Sequence, residues 1–393
     1  MLKRESLILI PLLVLYPSII FNFIAPYHQV LAIASLILFV FLRKCRVELP
    51  LVAYVAFATS ICFQVLHFIY TDYLGFDKVL SAILRTAFIF VLLICYLNSD
   101  KLFILKTITV LLVFLLIGNA LSFFVVLMLD MNPLMELQLH DGRTAGLYLG
   151  SFSAVNMQFS GFRFLRGAGI FDEPGAFGFV TFLLMIINYK YFGNIKIVFL
   201  MYVLGFFTFS IAFIILSTIY VVAVIPFKRS FSLMIPIILL GVMLLSLVPG
   251  EKLDIVYHYS VGRISSLYSD SESGVSSSNT RGHVVAVSNA IIADAPLFGV
   301  GEYAAYQYSS FFSTASVVSY VAMYGLVGYL LYSMPLWLLL LQQVSQVRLR
   351  HDDALTIVLV GLLFSQRPYW DLPLNYILLL AVVQAIKSKG QVK

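Results

Sequence analysis

What this sequence has least of is charge: Asp, Glu, Lys and Arg make up 11% of its 393 residues, against about 25% in soluble domains. Apolar side chains make up 61%, and the pair of figures excludes an ordinary soluble globular protein. Cysteine is also scarce. Cys45 sits in a short basic segment and Cys62 and Cys95 inside apolar runs, so no disulfide framework is implied. There is no P-loop, no Ser nucleophile elbow and no internal repeat. His28, His140, His258 and His283 have no metal-ligand spacing to one another, to cysteine or to a carboxylate, which argues against a zinc or di-metal site, and no cofactor is expected. Asp270-Ser271-Glu272 comes closest to a nucleotide-sugar metal pair, but its Ser-rich setting reads as a solvated loop.

What is abundant is apolar runs of about 20 residues, each long enough to cross a hydrocarbon core of about 30 Å as a helix. Runs such as Val110 to Leu129 do not alternate apolar and polar, which excludes a transmembrane barrel. The expected fold class is all-α: a polytopic integral membrane protein, one transmembrane domain over 1–393, with about 12 transmembrane helices. These fall near 6–25, 29–42, 50–69, 78–97, 106–129, 174–190, 195–208, 210–227, 231–249, 314–341, 354–366 and 373–386. The first follows Met1-Leu2-Lys3-Arg4-Glu5 without a small-residue cleavage site and reads as an uncleaved helix.

Placing both termini in the cytoplasm puts sixteen of the 25 Lys and Arg inside and eight outside, with Arg85 within a span, as the positive-inside rule requires. Fourteen of the 19 acids fall outside. The net charge of +6 is therefore a topology signal, with the lipid bilayer as partner and no patch left for nucleic acid. The stretch 195–227 is too long for one span and short for two, and Thr208-Phe209-Ser210 is its expected turn, near the outer face. Two outside loops, 130–173 and 250–313, are much longer than the other connections. Loops of that length are functional or disordered, and their hydrophobic content argues against disorder.

The outside chemistry begins with Phe162-Arg163-Phe164-Leu165-Arg166-Gly167-Ala168-Gly169-Ile170-Phe171-Asp172-Glu173-Pro174. Pro174 suits the first turn of a helix. Asp172 and Glu173 then have two available roles, capping that helix and complementing its dipole or acting chemically. Arg163 and Arg166 stand outside against the topological bias, near the membrane surface, where a lipid-borne anion would lie. In the second loop Asn279 or Thr280 can cap a helix with Val284, Val287 and Ile291 on one face, ended by Pro296 and two glycines. This predicts an amphipathic helix on the membrane with Arg281 in its first turn. A cation there opposes the helix dipole unless an anion shares the site, and a lipid phosphate would also satisfy it.

A short outside turn, Gln366-Arg367-Pro368-Tyr369-Trp370-Asp371, offers Arg367 and Tyr369; an Arg367–Asp371 pair flanked by belt aromatics is the plainer alternative. Arg85 lies about 12 Å into the fourth span, which points to an interior cavity or a partner acid. Tyr303 and Tyr306 are able to stack on sugar rings or to sit in the aromatic belt.

The run Arg166-Gly-Ala-Gly-Ile-Phe-Asp-Glu-Pro-Gly-Ala-Phe-Gly178 resembles the signature of the Wzy-type O-antigen and capsule polymerases, of the O-antigen polymerase and ligase superfamily. Arg281 and the run Ala293 to Gly301 look like that superfamily's second large periplasmic loop, and Tyr324-Gly325-Leu326-Val327-Gly328 like the small-residue helix after it. Ligases usually carry a histidine in the stretch that here reads Ser313 to Tyr320, without one; its absence favours polymerase over ligase. The resemblance implies a GT-C-like, metal-independent membrane glycosyltransferase that joins undecaprenyl-diphosphate-linked oligosaccharide repeats on the periplasmic face of the bacterial inner membrane. A Wzz-type chain-length regulator is the implied partner. Developing charge on the departing diphosphate would then fall to Arg163, Arg166, Arg281 and Arg367, and the base to Glu173, with Asp172 second. O-antigen ligase is one rival reading and a lipid-linked oligosaccharide flippase another.

Overall fold

The computed structural model describes residues 9–10, 51–71, 76–138, 144–153, 156–159, 162–171, 173–226, 250–257, 277–308, 316–344, 350–366 and 372–391. The spans expected at 29–42 and 231–249, and nearly all of 6–25, lie outside them. The described chain is mostly helical. Helices α1 (Leu51–Tyr70), α2 (Phe76–Leu97) and α3 (Lys101–Leu129) precede the first long loop. After it come α4 (Pro174–Lys190), α5 (Ile195–Gly205) and α6 (Ile211–Val224). The second loop contributes α7 (Gly250–Tyr257), α8 (Ser277–Asp294) and α9 (Glu302–Tyr308). The chain closes with α10 (Val317–Val344), α11 (His351–Gln366) and α12 (Pro373–Gln391).

Among the described residues three helices are long and apolar enough to cross a membrane: α1, α3 and α10. Their outward faces are apolar too, with Leu66, Phe114 and Leu341 more than 60% exposed; such a surface suits hydrocarbon and is a liability in water. At the centre lies α4, buried at every residue except Tyr189; α5, α6 and α12 pack around it. The stretch 195–227 turns where expected. A 3-10 turn over Phe206–Thr208 is followed by Phe209 in the left-handed region (φ 49°), and the Thr208 hydroxyl donates to the Gly205 carbonyl at 2.8 Å. The two arms are short: α5 has 11 residues and α6 has 14, about 16 and 21 Å at ~1.5 Å per residue.

Two buried cations tie distant segments together. Lys190 Nζ lies 2.7 Å from both Asp352 Oδ2 and Asp353 Oδ1, with no exposure of its own. Lys252 Nζ donates to the Leu127 carbonyl at 2.6 Å and sits 3.5 Å from Asp130 Oδ2. Each contact joins segments that the charge distribution places on one side of the membrane.

Two expectations need correction. The expected all-α fold is not purely α: among its described residues the first long loop forms an antiparallel sheet of β1 (Met135–Gln138), β2 (Thr144–Leu147) and β3 (Phe152–Ser153) and a hairpin of β4 (Asn156–Phe159) and β5 (Phe162–Leu165). No strand exceeds four residues, too few for an alternating pattern to register in sequence. Secondly, α8 begins at Ser277, so Arg281 is its fifth residue, beyond the turn with free N–H groups. Its apolar face is covered by protein. Val284 and Ile291 are buried, and Ile291 packs with Ala305, Ala322 and Met323 of α9 and α10.

Candidate functional site

The Arg166–Gly178 segment is seated by small residues. Gly118 of α3 meets Gly150 so closely that a Cβ on either would lie about 3 Å from the other's backbone, which lets the loop rest directly on the helix. One residue further along, the Ser151 hydroxyl donates to Asn119 Oδ1 at 2.9 Å and accepts from the Gly169 N–H at 2.9 Å. Gly167 passes so close that a Cβ there would overlap Asn119 Oδ1. The backbone then pairs outward: Phe152 N–H donates to the Gly169 carbonyl at 2.6 Å and Ala168 N–H to the Phe152 carbonyl at 2.7 Å. Gly169 (φ 61°) turns the chain. Phe171 stacks on Phe177 at 5.6 Å, and α4 begins at Pro174, in the first helical turn as its missing N–H allows.

Within this frame the side chains divide sharply. From Leu165 to Asn188, every described residue is buried except Arg166 and Glu173. Arg166 Nη2 donates to the Phe209 carbonyl at 3.2 Å, so the arginine and the α5–α6 turn share one face of the molecule. Glu173 occupies the N-cap position of α4, where its carbonyl accepts from Ala176 and Phe177 N–H at 3.1 and 3.3 Å. Its carboxylate makes no capping hydrogen bond. The side-chain capping role that the sequence offered Glu173 is thus not taken up.

The other expected residues are placed unevenly. Arg163 is opposite Gln158 in the β4–β5 hairpin, which brings it to the same loop as Arg166. Arg281 lies on α8, and Tyr303 and Tyr306 on α9. Arg85 is half-buried on α2, next to Thr86, whose hydroxyl accepts from Gln64 Nε2 at 2.8 Å. Asp172, Arg367 and Tyr369 lie outside the described residues. Among the described residues no three His, Cys, Asp or Glu gather as metal ligands.

The second loop holds a feature that sequence reasoning missed. Helix α10 is interrupted at Gly325 (φ 70°, ψ 173°), which would free the carbonyls of Ala322 and Met323 and the N–H groups of Leu326 and Val327. The segment Pro296–Gly301 takes up all four: Val300 and Gly301 N–H donate to Ala322 and Met323 at 3.3 and 2.9 Å, and Leu326 and Val327 N–H donate to Pro296 and Leu297 at 2.9 and 3.1 Å. A buried membrane helix break is tolerated only with such replacement. From α1, His67 reaches across to the Phe298 carbonyl at 2.9 Å, its ring flanked by Phe63 and Tyr324. The signal in the sequence was a lone histidine in an apolar run, together with Pro296, Gly299, Gly301 and Gly325 in two separate segments.

No family model matches the chain, and no curated protein matches it.

Proposed function

We propose that this chain is an inner-membrane glycosyltransferase of the Wzy type, with about twelve spans and both termini in the cytoplasm, which polymerises undecaprenyl-diphosphate-linked oligosaccharide repeats on the periplasmic face. The observation that carries the proposal is the burial pattern of the Arg166–Gly178 segment: a backbone fixed by glycines and hydrogen bonds, in which, among the described residues, only an arginine and a glutamate are less than fully buried. A buried run in which the only half-buried residues described are one of each sign, the arginine held at the α5–α6 turn, suits a reaction that needs a base and a stabiliser of developing negative charge.

In that reaction an acceptor sugar hydroxyl attacks the anomeric carbon of the donor. The new glycosidic C–O bond forms as the bond to the diphosphate oxygen breaks; Glu173, with Asp172 second, takes the hydroxyl proton. The departing oxygen keeps the electron pair, and Arg163, Arg166, Arg281 and Arg367 stabilise its charge. Attack opposite the leaving group inverts the anomeric centre. Tyr303, Tyr306 and Tyr369 supply ring faces for sugar, and a Wzz-type regulator is the expected protein partner.

The test is a gene deletion followed by a gel of the surface glycan, complemented with wild type, Arg166→Lys and Glu173→Gln. Polymerase activity predicts lipid A-core carrying a single repeat in the deletion, and a full ladder only with wild type. Both variants should lose ladder by about 10² or more: lysine keeps the charge of Arg166 without its fork, and glutamine keeps the shape of Glu173 without its basicity. Bare core with lipid-linked polymer accumulating would mean a ligase instead. A flippase reading draws on the interruption of α10, since transporters use broken helices at their substrate sites; here protein backbone fills the break, and single repeats trapped on the cytoplasmic side would be its signature.

A further inference from the structure

The break in α10 is closed by a strap, Pro296–Gly301, that continues directly from α8: Ala295 N–H donates to Ile291 and Gly299 N–H to Ala295. Whatever holds the strap therefore also holds α8. Helix α10 serves four of the strap's backbone groups, as described above. The Phe298 carbonyl is served from another helix, by His67.

Several facts set this contact apart from a chance core histidine. His67 is 8% exposed on an apolar helix, where an ionisable side chain needs a partner. The Phe298 carbonyl only accepts, so the Nε2 that meets it carries the proton, and the ring also hydrogen-bonds the backbone of Met323 at the break. The end of α1 grips the strap a second time one turn later: Thr71, anchored by its hydroxyl to the His67 carbonyl at 2.8 Å, lies against Gly301 so closely that a Cβ there would touch it at about 3 Å. The interface is tight along its length, with the Phe63 ring filling the space over Gly328 and the Ser60 hydroxyl donating to the Tyr332 carbonyl at 3.1 Å.

We propose that His67 is a positioning residue: by donating to the Phe298 carbonyl it keeps the strap seated in the α10 break and thereby fixes α8, with Arg281, against the membrane helices. For its bearing on glycan synthesis the proposal rests on the glycosyltransferase reading above. Removing the donor releases the strap, exposing Val300 and loosening the arginine; no bond to substrate is involved. Replacing His67 with Gln retains an N–H donor near the Nε2 position.

The test begins with labelling of Val300→Cys by a membrane-impermeant maleimide in native membranes, with Cys45, Cys62 and Cys95 changed to Ser. Val300 is half-buried beside Ile291 and Met323, so labelling is slow at the start. His67→Leu should speed it about tenfold, the expected effect of losing one buried hydrogen bond, and His67→Gln should leave it near the starting rate. Because His67→Leu can also disturb folding, Leu326→Pro provides an independent route. It deletes the N–H that meets Pro296 and trims a side chain that is already exposed, at a position where a helix restarts and proline fits, and it should speed labelling to a similar extent. Unchanged labelling in both variants, or His67→Gln behaving like His67→Leu, overturns the proposal.

In cells, with equal membrane levels of protein, ladder yield should fall about tenfold with His67→Leu and recover with His67→Gln. A normal ladder with faster labelling overturns the role of the joint in the reaction. Failure of the glycosyltransferase reading would look different: the gene deletion itself would leave the surface glycan unchanged, while the labelling pattern stood.

Discussion

The two long loops are fastened to the membrane helices by opposite means. The first rests on an uninterrupted helix, α3, and its bond is a side-chain relay from Asn119 through the Ser151 hydroxyl to the Gly169 N–H. The second enters an interrupted helix, α10, and its bonds to that helix run backbone to backbone, with the His67 side chain of α1 added from outside. Glycine appears in both, for different reasons. Gly167 makes room for a side chain, Asn119, whereas Gly325 makes room for the backbone of Leu297 and Phe298. A side chain can be trimmed to relieve a clash and a backbone cannot, so the first loop should tolerate compensated change and the second should not.

The largest effect is expected at Gly325. Alanine there meets a left-handed φ and a ψ that only glycine adopts readily, and its Cβ would run into main chain; together these cost on the order of 3 kcal/mol or more. A thermal melt in detergent should show it, and no truncation of a neighbour should restore it. Next comes Gly167→Ala, at about 1–3 kcal/mol from overpacking. Asn119→Ala should cost about 1–2 kcal/mol through the lost relay. The combination of the last two sharpens the contrast: with the Asn119 side chain gone, the alanine at 167 loses its main obstacle, and the double variant should be less destabilised than the two losses added. Strict additivity would mean that the first loop, too, is held by its main chain. Ser151→Ala is the mildest, at about 1 kcal/mol, read as a small shift of the same melt.

Much of the frame was legible before any coordinates. Apolar run lengths placed α4 at 174–190 to the residue, Pro174 marked its first turn, and Thr208-Phe209-Ser210 marked the reversal in a stretch with no charge to guide it. Those signals are local. Strands of two to four residues were not legible, nor was the covered face of α8, because amphipathicity shows which face is apolar but not what lies against it. The motif itself stood out through its arginines and glycines, yet the sequence left Glu173 between cap and chemistry; only the geometry of α4 shows that its carboxylate makes no cap bond. His67 and the α10 break depend on segments more than 200 residues apart, and no spacing rule within either segment reports on the other.

The buried Lys190 carries a consequence for the order of assembly. Its two carboxylate partners lie 162 and 163 residues later in the chain, so at ~5–20 residues per second of synthesis the lysine waits roughly 8 to 30 s for them. A lone ammonium at the end of α4 is costly to bury without a partner, and until α11 arrives it will stay at the aqueous boundary. The pair of contacts that closes over the end of the central helix therefore forms only once the chain has been made through Asp353.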